Sequence, residues 1–208
     1  MQKNNKKEKI VAIVQARLDS TRLPRKVLKE FGVTTIIESI IDRLKQSKFI
    51  DQIVVATSSE ASDDQLADFL MSKSIACFRG SKDDVLRRYV DCADLYDADL
   101  IIRVTGDCPL IDHNLIDKMA TDFSKSSFDY MSNALEPSLP DGYDCEIFTT
   151  DALSLCSTLS DDASDREHVT KFIYENQDKF RIGKWKNSID LSHLRLTLDY
   201  IEDYNLLN

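Results

Sequence analysis

The apolar and polar positions of the chain fall into two alternating rhythms. Runs rich in β-branched residues recur at 10–16, 53–57 and 100–104, and such short, nearly continuous apolar segments read as strands covered on both faces. Between them the apolar positions return every three or four residues, as at Ile37, Ile40, Ile41 and Leu44, which is the spacing of one helical face. Helices are expected over 36–46, 63–71, 83–96 and 114–123, with a short strand at 75–78. The alternation predicts βαβ units and a largely parallel sheet. Beyond Phe123 the rhythm changes. A Pro-containing stretch at 137–142 precedes a strand at 143–148, helices at 151–159 and 166–175, extended segments at 180–185 and 194–198, and a helix opening at Tyr200. No internal repeat is visible. The chain reads as a flexible tail at 1–9 followed by one domain over 10–208.

The first strand runs straight into QARLDSTRLPRKVL, where Arg17, Arg22, Arg25 and Lys26 fall within ten residues. Packed cations repel one another unless an anion sits among them, so this loop is expected to hold a di- or triphosphate. The motifs Gly-x-x-x-x-Gly-Lys-Ser/Thr and Gly-x-Gly-x-x-Gly are absent here, so side chains must supply donors, and Arg17, Ser20, Thr21, Arg22 and Lys26 can do so. The other reading of the loop is a solvated basic turn. A second feature is LIIRVTGDCPLID, where a strand ends at Thr105-Gly106 and presents Asp107. A carboxylate at that edge, facing a phosphate loop, suits Mg²⁺ bridging protein and phosphate oxygens, or else caps a turn. Asp112 is expected as the N-cap of the helix that follows. The third feature, LRLTLDYIEDY, ends a strand-like run at Asp199. If the two strands are neighbours, Asp107 and Asp199 could share one ion, although Asp199 with Glu202 also resembles a capping box.

Weaker signals lie between. Strand alternation puts Asp144 and Glu146 on one face, where they either meet a hydroxylated substrate or face solvent. Ser164 and Glu167 fit a capping box, which leaves Arg166 and His168 for a pocket or a structural role. RGSKDDVLRRY carries Arg79, Gly80, Ser81 and Asp84 at a helix start that could take hydrogen-bonding groups of a base or ribose, or simply begin a helix.

Composition narrows the classes. The formal net charge of -9 argues against general nucleic-acid binding, which needs a basic face. Five scattered cysteines without Cys-x-x-Cys spacing fit reduced thiols better than disulfides or zinc. The polar start and the lack of a long apolar run suggest a cytoplasmic protein that does not enter a membrane.

Taken in order, QARLDSTRLPRKVL, IVVATS, FRGSKDDVLRRY, RVTGDCPLID, GYDCEIF, REHVT and SHLRLTLDYIEDY resemble the SpsF-like cytidylyltransferases of spore-coat polysaccharide synthesis, relatives of acylneuraminate and CMP-Kdo synthetases. The resemblance implies a nucleotide-diphospho-sugar transferase fold, a Rossmann-like α/β/α sandwich with a mixed, mainly parallel sheet. It implies CTP as substrate and transfer of CMP to an acidic or otherwise modified sugar with release of pyrophosphate. Ala16, Arg17, Ser20, Thr21, Arg22, Lys26, Arg79, Gly80, Ser81, Asp84, Thr105 and Gly106 would then meet the nucleotide, with Arg17, Lys26 and Asp107 catalytic. Asp107 and Asp199 would hold Mg²⁺, and Asp144, Glu146, Arg166 and His168 would face the sugar. A homodimer is also implied. Relatives often carry Gly where Asp19 and Arg25 stand, and Arg25 could offset the Asp19 charge. The alternatives are a glycosyltransferase of related architecture and a nucleotide-binding subunit without turnover.

Overall fold

The computed structural model describes residues 7–208, so positions 1–6 of the expected tail lie outside the described residues. Lys9 is already tied to the body, its amide donating to Asp99 at 2.7 Å. The strands are β1 (Ile10–Gln15), β2 (Glu30–Phe31), β3 (Thr34–Thr35), β4 (Gln52–Ser58), β5 (Cys77–Gly80), β6 (Leu100–Thr105), β7 (Tyr130–Ser132), β8 (Glu146–Thr149) and β9 (Ile182–Lys184). The helices are α1 (Ile36–Leu44), α2 (Asp64–Ser72), α3 (Val85–Leu95), α4 (His113–Ser124), α5 (Thr150–Leu159), α6 (Ala163–His168), α7 (Lys171–Glu175) and α8 (Ile201–Leu207). Seven strands form one sheet in the order β5-β4-β1-β6-β8-β7-β9. β8 runs antiparallel to both its neighbours, and the remaining pairs are parallel.

Alternation along β1 explains the layers. Val11 and Ile13 join a core with Tyr89, Leu86 and Phe148 on one face; Ala12 and Val14 join Ile37, Ile40 and Met119 on the other. A strand apolar on both faces must be covered on both, and helices do this. The result is a three-layer α/β/α sandwich with the fold expected for a nucleotide-diphospho-sugar transferase. Helix starts follow local chemistry. The Thr35 hydroxyl accepts from the Glu38 amide while the Glu38 carboxylate accepts from the Thr35 amide, a capping box that sets where α1 begins. Asp112 caps α4 as expected, accepting from the Asn114 amide at 2.9 Å.

Several expectations need correction. The helix expected at 166–175 is two helices, because Val169 adopts φ 62° and breaks the register. Its start is set by Asp162, which accepts from the Ser164 amide, so the Ser164–Glu167 box does not form. Strand β7 falls where a loop is expected; Tyr130 and Met131 are buried, but Ser and Asp neighbours mask the pattern. The segment 194–198 is not a strand; it forms an isolated β-bridge, Arg195 to Asp141, with irregular backbone bonds on either side of it. At α8 the carboxylate of Asp203, not Glu202, accepts from the Tyr200 amide at 2.9 Å. Among the described residues no helix is long and apolar enough to cross a membrane.

Candidate active site

The carboxyl ends of β1 and β6 lie side by side, Gln15 opposite Thr105, and open α/β sheets bind ligands at such edges. The loop after β1 is fixed from below. Leu18, Leu23 and Val27 are buried in the core, and the buried Asp63 carboxylate accepts from the Leu18 amide at 2.7 Å. Burying Leu18, Leu23 and Val27 leaves Arg17, Thr21 and Arg22 on the open side. Ala16, Arg17, Ser20, Thr21, Arg22 and Lys26 line a cavity of about 290 Å³ with Gln15, Val27, Thr105, Gly106 and Asp107. Gly106 allows the close approach, since a Cβ there would lie 3.0 Å from Val27 Cγ1 and 3.2 Å from the Gln15 carbonyl.

At the floor stands Lys26, nearly buried. Its Nζ lies 3.2 Å from Asp107 Oδ2 and 3.0 Å from Asp199 Oδ1, and donates to the Leu198 carbonyl at 2.8 Å. Asp199 also accepts from Arg22 at 2.7 Å and Arg195 at 3.3 Å, and the Asp107 carboxylate accepts from the Thr105 hydroxyl. Burial pushes the Asp107 carboxyl up, but the Lys26 ammonium and the Thr105 hydroxyl pull it further down, below its ordinary value. Asp199 reaches this place by a different route from the expected one. Segment 194–199 is a strap, not a neighbouring strand, and is pinned where the Leu198 amide and the Thr197 hydroxyl both donate to the Asp107 carbonyl, at 2.8 and 3.0 Å.

Asp19 is compensated, but not by Arg25. Its partners are Lys82 at 2.6 Å and Arg17 at 3.3 Å, and the Lys82 hydrogen bond holds its carboxyl below the ordinary range. Arg25 has φ 60° and its guanidinium donates to Gln65. A left-handed conformation costs a residue with a Cβ about 1 kcal/mol or more. Arg25→Gly is expected to stabilise the fold by about 0.5–1 kcal/mol, a Tm rise of roughly 1–4 °C; a fall in Tm in a thermal melt would show that the Gln65 bond outweighs the strain.

A second cavity, of about 240 Å³, adjoins the first at Thr105 and is lined by Arg103, Ala134, Asp144, Glu146, His168, Thr170 and Tyr174. Glu146 is buried and fully engaged, accepting from Tyr130, from Thr170 at 2.6 Å and from Arg103. Asp144 forms no ion pair among the described residues, and burial, with Asp141, Asp107 and Glu146 nearby, pushes its carboxyl up to about 6.

The Cytidylyltransferase family model matches residues 11–205, nearly the whole of the sheet and both cavities. The chain belongs to the cytidylyltransferase family. The spore coat polysaccharide biosynthesis protein SpsF of Bacillus subtilis is 34% identical over 206 residues, covering 94% of this chain and 83% of the relative. A cytidylyltransferase from Leptospira borgpetersenii superposes with a TM-score of 0.91 at 39% identity, covering 95% of this chain and 84% of that one. The CMP:2-keto-3-deoxy-manno-octonic acid synthetase complexed with CTP, at 15% identity, has a TM-score of 0.71 over 96% of both chains and shares the fold.

This cytidylyltransferase, a CTP-dependent nucleotidyltransferase, brings the expected residues together unevenly. The phosphate-loop residues with Thr105, Gly106 and Asp107 share one cavity, and Asp144, Glu146 and His168 share the second. Arg79 and Arg166 line neither: Arg79 binds the Ser58 and Glu60 carbonyls and Asp64, and Arg166 reaches the Ser157 carbonyl and Asp84. Asp84 caps α3 through the Arg87 amide. The Ser81 hydroxyl accepts from the Asp84 amide at 3.0 Å, and a Cβ on Gly80 would lie 2.9 Å from Arg88 Cγ. This β5–α3 turn still borders the phosphate loop through Lys82 and Asp19. The sequence reading missed Lys82, Gln15, Arg103 and Arg195. For Gln15 and Arg103 a signal existed, because Gln15 is the last residue of β1 and Arg103 shares the strand face of Thr105, which the sequence reading named.

Proposed function

We propose that this cytidylyltransferase transfers CMP from CTP to a hydroxyl of a sugar acceptor, in the synthesis of a surface polysaccharide or glycoconjugate. The observation that supports this most is the pair of adjoining cavities meeting at Thr105, one lined by Arg17, Arg22 and Lys26 together with Asp107 and the other lined by polar groups. In this reading the triphosphate lies along Arg17, Ser20, Thr21, Arg22 and Lys26, and the acceptor occupies the second cavity. The acceptor oxygen attacks the α-phosphorus, the bond to the bridging oxygen of the β-phosphate breaks, and pyrophosphate leaves. Arg17, Arg22 and Lys26 place positive charge where the leaving group gains negative charge, which is where fixed charges lower a barrier most.

Asp107 and Asp199 suit a divalent cation by donor chemistry. Two hard carboxylates already converge on one ammonium, and Mg²⁺ is commonly bound by one or two carboxylates plus phosphate oxygens. When bound, Mg²⁺ would neutralise phosphate charge and orient the triphosphate. Lys26, released in part from the carboxylates, would then be free to hold a phosphate oxygen. The proposal includes a cytoplasmic location and a homodimer. Val33 and Leu206 are exposed apolar residues that a second copy would cover.

Calorimetry with CTP, UTP, ATP and GTP in the presence of Mg²⁺, followed by a pyrophosphate-release assay over a sugar panel, tests the reading. Selective binding of CTP and release of pyrophosphate are expected. A nucleoside diphosphate product would point to glycosyl transfer instead, and equal affinity for all four nucleotides would overturn the assignment of CTP.

A further inference from the structure

Val169 stands in a backbone conformation that β-branched residues avoid. Its φ of 62° and ψ of -62°, with the Thr170 amide donating to the His168 carbonyl at 2.6 Å, make a γ-turn of the strained form, and branching at Cβ adds to the cost. Such strain persists only where the surroundings hold it, and it gathers at functional sites. Three contacts hold it here. The Val169 side chain is fully buried in the core that contains Tyr89, Leu153, Cys156 and Ile173. Its amide donates to the Asp165 carbonyl at 3.1 Å, closing α6, and its carbonyl accepts from the Cys156 thiol at 3.5 Å. A glycine would make the same turn without strain, but it would have no side chain to anchor.

The turn has a geometric consequence at the second cavity. In an unbroken helix His168 and Thr170 would lie about 200° apart around the axis, so one of them would face away. With the helix broken at Val169 both line the cavity, joined by Tyr174 one turn further along α7. The Thr170 hydroxyl donates its one proton to Glu146 at 2.6 Å, so toward a ligand it offers lone pairs only. We propose that Val169 is a positioning residue for the acceptor: its buried side chain holds the strained turn that aims His168 and the Thr170 hydroxyl oxygen into the second cavity, where a hydroxyl of the acceptor donates to Thr170. The proposal rests on the cytidylyltransfer reading for the position of the acceptor.

The test is steady-state pyrophosphate release from CTP with glucose, glucuronate, N-acetylneuraminate and 2-keto-3-deoxy-manno-octonate in turn, on the wild type, Val169→Ala, Val169→Ile and Leu153→Ala. Leu153 belongs to the same core and lines neither cavity, so its truncation controls for lost packing alone. Val169→Ala should raise the acceptor KM about tenfold or more and leave the CTP KM within about twofold. Val169→Ile keeps the branched anchor and should restore the acceptor KM, whereas Leu153→Ala should lower Tm and leave both KM values unchanged. An acceptor KM unchanged in Val169→Ala, both KM values rising together, or an equal rise in Leu153→Ala would each overturn the proposal. Thr170→Val, which keeps the turn and removes the lone pairs, carries the test if Val169→Ala does not fold: it should raise the acceptor KM about tenfold, and no change would overturn the proposal as well. The wild type alone decides the cytidylyltransfer reading: no pyrophosphate release with any of the sugars would remove that reading and the proposal with it, while release in the wild type leaves the variants to decide the proposal.

Discussion

Asp107→Asn will lower kcat for CMP transfer by about 10²–10³-fold while leaving the protein folded. The magnitude follows from the behaviour of single preorganised groups that act on transition-state charge, roughly 3–4 kcal/mol each. Asparagine keeps the shape of the side chain and the main-chain carbonyl that receives Leu198 and Thr197, so the strap carrying Asp199 stays in place. What is lost is one of the two negative charges facing Lys26 and the proposed Mg²⁺. The substitution also has a signature in stability. The folded Asp107 carboxyl lies below its ordinary value, so it contributes stability above the unfolded pKa, and that contribution disappears as pH falls through the folded pKa. The Tm difference between wild type and Asp107→Asn should therefore be largest near neutral pH and shrink in acid. Steady-state pyrophosphate release and thermal melts between pH 3 and 7 check both statements. A kcat within threefold of wild type would remove Asp107 from the chemistry.

The central sheet and the phosphate loop were legible in the sequence because both are written in local patterns. β1, β4 and β6 are dense apolar runs, and the loop sets its four cations against an acidic background. Features made by distant segments were not legible. Asp199 meets Asp107 through an irregular strap whose backbone bonds, not its side-chain pattern, fix its course, so a strand was expected. Arg166 stands in a sequence that looks free for a pocket, but the kink at Val169 turns it toward α3 and α5. Lys82 gave no periodic signal, and its importance arises from Asp19, 63 residues earlier. Arg25 is the instructive case at loop level. The resemblance implied a position suited to glycine, and the left-handed φ of Arg25 is one that glycine adopts readily, yet the charge balance expected of Arg25 belongs to Lys82 and Arg17.

Lys26→Met should be the most damaging single change, because it removes the cation that, among the described residues, both carboxylates share. Methionine retains the unbranched stem and its packing, so the loss isolates the ammonium. The lysine side chain is 11% exposed and its partners Asp107 and Asp199 are 29% and 14% exposed, which places the cluster nearer to buried ion pairs than to surface ones. Breaking a buried pair from one side costs about 3–5 kcal/mol. With Arg22 and Arg195 still holding Asp199, the lower end is expected, about 3 kcal/mol, or a Tm fall of roughly 6–12 °C. The pH dependence should reverse in sign. Burial already pushes the Asp107 carboxyl up, and Lys26 is the main force opposing it; without the ammonium the folded pKa rises above the unfolded one. Such a group stabilises the fold below its unfolded pKa and loses that contribution as pH rises through the folded pKa. The Tm deficit of Lys26→Met should thus be greatest at pH 8 and smallest near pH 4.5, with kcat/KM reduced by about 10²-fold or more at every pH where the variant is folded. Lys26→Arg should restore little, since a planar guanidinium cannot take the place of a compact ammonium bonded at once to Asp107, Asp199 and the Leu198 carbonyl. Paired melts and pyrophosphate-release kinetics across that range decide the matter: a deficit below 1 kcal/mol that does not change with pH would mean that Lys26 is a solvated surface partner and that the two carboxylates need no cation to stand together.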